Sequence, residues 1–128
     1  MLRTVYQSTS PPFAWLDLVE PTRADLDEVT TQYGLPLTAV QDCLDPEHLP
    51  KFEQFEASCF AIFRAYDERC EARADTVQSL TRKVALFWGA GFLISIHRKE
   101  QPYLTGIQQR WAARTGMPGD SAGLTAEL

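Results

Sequence analysis

Apolar and polar residues alternate or recur along this chain in patterns that divide it into short elements. Residues 1–6 carry a faint strand pattern that Pro11-Pro12 interrupts. Phe13 to Val19 is rich in aromatic and aliphatic residues, with Asp17 the only charge before Glu20, and predicts a strand closed by Glu20-Pro21. Thr22 then opens a helix. Its hydroxyl and the Asp25 carboxylate are spaced for a reciprocal cap, and Asp25, Asp27 and Glu28 place negative charge where the helix dipole favours it. Leu26, Val29 and Tyr33, at i, i+3 and i+7, form the expected buried stripe, and Gly34 supplies a left-handed stop. Pro36 suits the first turn of a second short helix, with Leu37, Val40 and Leu44 as its buried stripe, Asp42 on the opposite side and Asp45-Pro46 at its end.

The second half reads as strands followed by a helix. Ser58 to Tyr66 has Cys59, Ala61, Phe63 and Ala65 on one face and Phe60, Ile62 and Tyr66 on the other. Both faces are largely apolar, which predicts an interior strand covered on both sides. Asp67 to Asp75 is charged and predicts a loop. Val77 to Trp88 and Phe92 to His97 predict a hairpin around Gly89-Ala90-Gly91. Gln101-Pro102 starts a last helix with Leu104, Ile107 and Trp111 as its stripe. From Gly116 to Leu128 no periodicity survives. Residues 1–115 therefore read as one α/β domain, and 116–128 as a flexible tail or a truncated linker.

Composition narrows the class. The chain has 128 residues, is 45% hydrophobic and 23% charged, and carries a net charge of −5. These are the proportions of a folded domain, and the negative sign argues against a nucleic-acid partner, which needs a basic footprint. Residues 1–68 hold 4 basic and 12 acidic side chains, residues 69–128 hold 8 and 5. The acidic half offers a field for cations or a basic partner, or simply solubility. Three widely spaced cysteines, Cys43, Cys59 and Cys70, are not a disulfide framework and fit a reducing compartment. No signal peptide is legible, and the longest apolar run, Val84 to Ile96, has 13 residues against the ~20 that a membrane helix needs.

Candidate chemistry is sparse. Gly89-x-Gly91 lacks the third glycine of a dinucleotide turn and joins two strands, so it reads as a tight turn. Cys43-x4-His48 is half a zinc site without a second half, His97 stands alone beside Arg98-Lys99, and Cys43 and Cys59 read as small buried apolar residues. Glu53 and Glu56 are spaced for one helical face, with Phe52 and Phe55 beside them, and no nucleophile or acid/base partner accompanies them. No enzymatic function is expected. Asp42, exposed on its helix in the acidic half, has the oxygen chemistry that a hard divalent cation prefers.

The order of segments carries more information than any single residue. Trp15-Leu16-Asp17, Pro21-Thr22, Tyr33-Gly34-Leu35 and Pro36-Leu37-x-x-Val40-Gln41-Asp42-Cys43-Leu44 are followed by Pro50-Lys51-Phe52-Glu53, Phe60-x-Ile62 and Phe87-x-Gly89-x-Gly91-Phe92-Leu93-Ile94-Ser95-Ile96-His97. This string, from about Trp15 to Arg114, resembles the amino-terminal cytoplasmic domain of CorA-type magnesium transporters, a family that includes ZntB-type zinc transporters.

The resemblance implies a mixed sheet with helices on both faces, an α/β/α sandwich. It also implies a homopentameric Mg²⁺/Co²⁺ channel at the cytoplasmic face of the cell membrane, in which this domain precedes a stalk helix and two membrane helices. The family's Gly-Met-Asn pore signature is not present, since Gly116-Met117 runs into Pro118, so the chain reads as the regulatory domain without stalk and pore. The family's early strands read as shortened at this amino terminus.

In magnesium-type members a Glu-Asp pair ends the second helix, and its Asp helps bind a regulatory Mg²⁺ between subunits. Here the pair reads Gln41-Asp42, so the resemblance carries over Asp42 alone, and Gln41 puts a second cation position in doubt. Leu49-Pro50-Lys51 resembles the family's Arg-Pro-Lys and reads as a joint between helix and strand. In the fragment itself the expectation is a monomer or weak dimer with no bound cofactor. The alternatives are a stand-alone soluble ligand- or protein-binding module, a ZntB-like zinc transporter domain or, more weakly, a small enzyme with an unseen site.

Overall fold

The structure, a computed structural model, describes residues 1–10, 12–45, 48–66, 81–99 and 102–112. In chain order the elements are β1 (Leu2–Thr9), β2 (Pro12–Val19), α1 (Arg23–Tyr33), α2 (Leu37–Cys43), β3 (Lys51–Gln54), β4 (Ser58–Tyr66), β5 (Thr81–Gly89), β6 (Phe92–His97) and α3 (Pro102–Ala112). The strands form one six-stranded sheet in the order β1-β2-β6-β5-β4-β3. β2 and β6 run parallel, and the other neighbours run antiparallel.

Each face of the sheet has its own core. On one side Leu16, Leu18, Phe60, Ile62, Ala85, Phe87, Ile94 and Ile96 pack against Leu26 and Val29 of α1 and Ala39 and Cys43 of α2. On the other, Tyr6, Phe13, Trp15, Val84, Leu86 and Leu93 pack against Leu104, Ile107 and Trp111 of α3. The chain is therefore an α/β/α sandwich, as the resemblance implies. All six residues of β6 are buried, the mark of a central strand covered on both faces.

Local chemistry explains most boundaries. The Thr22 hydroxyl accepts from the Asp25 N–H at 3.1 Å, and the Asp25 carboxylate accepts from the Thr22 N–H at 3.1 Å. Gly34 stops α1 in the left-handed conformation at φ 64°. The β5–β6 hairpin turns on Gly91 at φ 83°, where an added Cβ would lie 3.0 Å from the Pro12 carbonyl. Thr22→Ala is expected to lower the unfolding free energy by about 1 kcal/mol. Urea denaturation measures it, and an unchanged midpoint would mean that the cap does not support α1.

Four expectations need correction. β1 is a strand over Leu2–Thr9 and runs past the faint pattern of residues 1–6. Its alternation is broken by an irregularity between Thr4 and Tyr6, which lets Arg3 and Tyr6, three apart, both face α3. α2 does not bury Leu37, Val40 and Leu44. Leu37 is 70% exposed and Leu44 48%, whereas Ala39 and Cys43 are buried and Val40 packs at their edge, because the close approach to the sheet takes the small side chains. The segment holding Glu53 and Glu56 is not helical: Lys51–Gln54 pairs with β4 as an edge strand, and Glu56 falls in the turn before it. β4 is interior, but only its Phe60 and Ile62 side is fully buried, and Cys59, Ala61, Phe63 and Ala65 are half-buried. The loop expected at Asp67 to Asp75, the hairpin's first residues 77–80 and the tail 116–128 lie outside the described residues.

Candidate functional site

The Asp42 region is assembled from α2 and the strands beneath it. Three carbonyls at the end of α2, those of Asp42, Cys43 and Asp45, accept from the Lys83 ammonium of β5, at 2.7 Å for Asp42 and 3.1 Å for Cys43. A lysine at a helix C-terminus satisfies orphan carbonyls and complements the dipole. Burial pushes the Lys83 ammonium below the usual lysine range.

Register places Lys51 opposite Ile62 and Glu53 opposite Phe60, so both side chains leave β3 on the α2 side of the sheet. There Lys51 pairs with both the Asp42 and the Glu53 carboxylates, and its ammonium lies 5.7 Å from the centre of the Phe60 ring. The hydrogen bonds to Asp42 and Glu53 hold Lys51 above the usual lysine range. His48 Nε2 lies 3.5 Å from Asp42 Oδ1.

Asp42 does not stand outward from α2. Its side chain is 25% exposed and engaged by Lys51, because the face that α2 buries differs from the Leu37–Leu44 stripe. The Cys43 thiol is buried and pushed up to about 12 by that burial, so it is no ready thiolate ligand beside His48. Among the described residues no three His, Cys, Asp or Glu side chains are grouped to hold a metal ion.

A second polar cluster lies under α3, on the opposite face. Asp17 is in register with Arg3 of β1 and Ser95 of β6, so three neighbouring strands bring these side chains together. Arg3 donates to Asp17 Oδ2 through Nε at 2.9 Å and pairs with it through Nη2 at 2.8 Å. Ser95 Oγ donates to Asp17 Oδ1 at 2.5 Å, and Trp15 Nε1 donates to Ser95 Oγ at 2.9 Å. His97 Nε2 lies 2.8 and 3.0 Å from the two Asp17 oxygens, and its Nδ1 lies 2.8 Å from the Lys99 carbonyl. From α3, Gln108 accepts from Arg3 at 3.3 Å. Burial alone would raise the Asp17 carboxyl, but the hydrogen bond and charge of His97, then the Ser95 and Arg3 bonds, hold it below its usual value.

This cluster has the residue types of a hydrolytic triad without its geometry. Ser95 directs its proton to Asp17, and His97 also faces Asp17, so no histidine accepts from the serine. Asp17, Ser95 and His97 are all buried. Sequence reasoning passed over Asp17 and treated His97 as solitary. The available signal was a carboxylate in an otherwise apolar strand, which must find a partner when buried.

Comparison with known proteins identifies the architecture. The family described as CorA-like Mg²⁺ transporter protein matches residues 11–128. No curated protein sequence matches the chain. Among solved structures, the soluble domain of CorA from Methanocaldococcus jannaschii superposes with a TM-score of 0.64 at 17% identity, covering 84% of this chain and 41% of that one. The ZntB cytoplasmic domain from Vibrio parahaemolyticus gives 0.68 at 20% identity, covering 91% and 46%. Full-length CmaX gives 0.70 at 15% identity, covering 90% and 34%. At these identities the likeness is one of fold, and the chain spans less than half the length of each structure. No helix among the described residues is long and apolar enough to cross a membrane. With its fold shared by the CorA and ZntB domains and its sequence matched from residue 11 to residue 128, the chain belongs to the CorA-like Mg²⁺ transporter family.

Proposed function

We propose that this chain is the cytoplasmic regulatory domain of a CorA-like Mg²⁺/Co²⁺ transporter, a homopentamer in which Asp42 gives a carboxylate to a regulatory Mg²⁺ between subunits. The family match over residues 11–128 carries this reading. The chemistry of the Asp42 region supports it in part. Carboxylate oxygens suit a hard cation, and Asp42 keeps a solvent-facing edge. One chain supplies too few oxygens for a closed coordination shell, so the remaining ligands must come from a neighbouring subunit and water. Lys51 already pairs with both Asp42 and Glu53, so a divalent ion arriving at Asp42 competes with a tethered ammonium. Cation binding that favours one packing of the subunits would shift the population toward a closed pore, with no catalytic residue required.

The test is ion flux through the intact gene product in liposomes, with Mg²⁺ varied on the cytoplasmic side. The parent protein is expected to close at millimolar Mg²⁺, and Asp42→Asn to stay open at concentrations about tenfold higher, the scale of one lost charged ligand. Equal closure of parent and variant would remove Asp42 from the regulatory site. Flux of Zn²⁺ in place of Mg²⁺ and Co²⁺ would favour the ZntB-like alternative. Absence of any flux would return the chain to the class of soluble binding modules.

A further inference from the structure

We infer that His97 is an imidazolium in the folded chain, so that a proton adds a tie between β2 and the end of β6, and that tie loosens when the proton is removed. The argument is one of donors and acceptors. Trp15 Nε1 can only donate, so Ser95 Oγ accepts from it and turns its own proton to Asp17 Oδ1. Arg3 can also only donate, and it faces Asp17 Oδ2. Both Asp17 oxygens therefore act as acceptors, which is the behaviour of a carboxylate. His97 Nε2, between those oxygens, must then carry a proton. Its Nδ1 faces the Lys99 carbonyl, which can only accept, so that nitrogen is protonated as well. A ring protonated on both nitrogens is a cation.

The surroundings fit that assignment. Across the seam from β2, His97 meets the Asp17 charge, and beyond it the Arg3 guanidinium of β1. Its register partner on β5 is the apolar Val84, and α3 contributes the neutral Gln108 to Arg3. The position gives the proton mechanical leverage. The His97 carbonyl accepts from the Glu20 N–H at 2.8 Å, where the chain leaves β2 with Glu20 at φ 48° and turns into α1. A neutral ring would set a nitrogen lone pair against either the carboxylate or the carbonyl. The ring would lose one of its two hydrogen bonds at the point where β2, β6 and the start of α1 meet.

The sequence contains two histidines, which makes the test direct. Long-range ¹H–¹⁵N correlation spectra of the imidazoles are recorded on the 128-residue chain, with His48→Gln assigning the second ring. Both nitrogens of His97 are expected to remain protonated at about pH 7.5, above the ordinary histidine value of about 6.5. The linked stability has a fixed sign. It is fully present below about pH 6.5 and is lost as pH rises through the folded-state midpoint.

Arg3→Met removes a like charge and is expected to raise that midpoint, and Asp17→Asn, where it folds, to lower it by at least a unit. His97→Gln is expected to lack the part of the alkaline fall that lies around the His97 midpoint. A His97 ring with one unprotonated nitrogen at about pH 7.5 would overturn the inference, and so would stability that is flat through the midpoint.

Discussion

Asp17→Ala is expected to destabilise the chain by about 3–5 kcal/mol, the largest loss of any single charge deletion among the described residues. Asp17 is fully buried, so its removal takes away the carboxylate that lies between Arg3 and His97 and strips Ser95 of its acceptor. Against the 5–15 kcal/mol of an ordinary domain that is a large fraction, and a fall in Tm of roughly 10–20 °C follows. Pairing does not make the site a net source of stability. Replacing Arg3, Asp17 and His97 together with apolar residues of similar volume is expected to cost far less than Asp17→Ala alone, since no charge is then left unpaired. The pH dependence gives a second check. Asp17 is held below its ordinary value of 3.8, so its contribution is present above about pH 4 and is lost as pH falls through the lower folded value. Urea titrations from pH 2 to pH 7 should therefore show an acid fall in the parent that is shallower in Asp17→Ala. An equal slope in both would mean that the charge at Asp17 does not act in the folded state.

Local chemistry made much of the fold legible, and long-range pairing hid the rest. The α1 cap and stop are written in Thr22, Asp25 and Gly34, which act within a few residues of one another. The β5–β6 hairpin is legible for the same reason, and so is the α3 stripe. β1 was obscured because its irregularity breaks the period of two on which a strand is recognised. The α2 face was misassigned because exposed leucines are ordinary, so Leu37 and Leu44 carried no reliable direction. The Asp17–His97 pair spans 80 residues and depends on the parallel alignment of β2 with β6, which no local pattern encodes.

Asp42 was legible as a candidate through the helix that carries it, but its partner was not. Lys51 reaches it only because β3 pairs with β4 in a register that turns Lys51 toward α2. The two ionic clusters consequently lie on opposite faces of one sheet. Variants at Asp42 and Asp17 share no direct partner, and their stability effects are expected to add to within about 0.5 kcal/mol.

Two phenylalanines on the same sheet are expected to respond very unequally to the same truncation. Phe87 is fully buried, stands in register with Phe60, and places its ring 4.5 Å from the Phe60 ring in the core beneath α1 and α2. Phe87→Ala removes that packing and leaves a cavity that a β-sheet cannot close by shifting one strand, so a cost of about 3–5 kcal/mol is expected. Phe52 lies on the edge strand, is 62% exposed, and meets Trp88 at 6.0 Å between ring centres. Phe52→Ala gives up little buried area and is expected to change stability by no more than about 0.5 kcal/mol. Urea unfolding separates the cases, with the midpoint falling for Phe87→Ala at constant slope and barely moving for Phe52→Ala. The comparison also tests the cooperative status of β3, whose one strand neighbour among the described residues is β4. A large loss on Phe52→Ala would mean that the edge strand, with Lys51 and its hold on Asp42, unfolds as one unit with the core. A negligible loss leaves β3 and the Asp42 contact free to rearrange while the sheet stays folded, which displacement of Lys51 by an arriving cation requires.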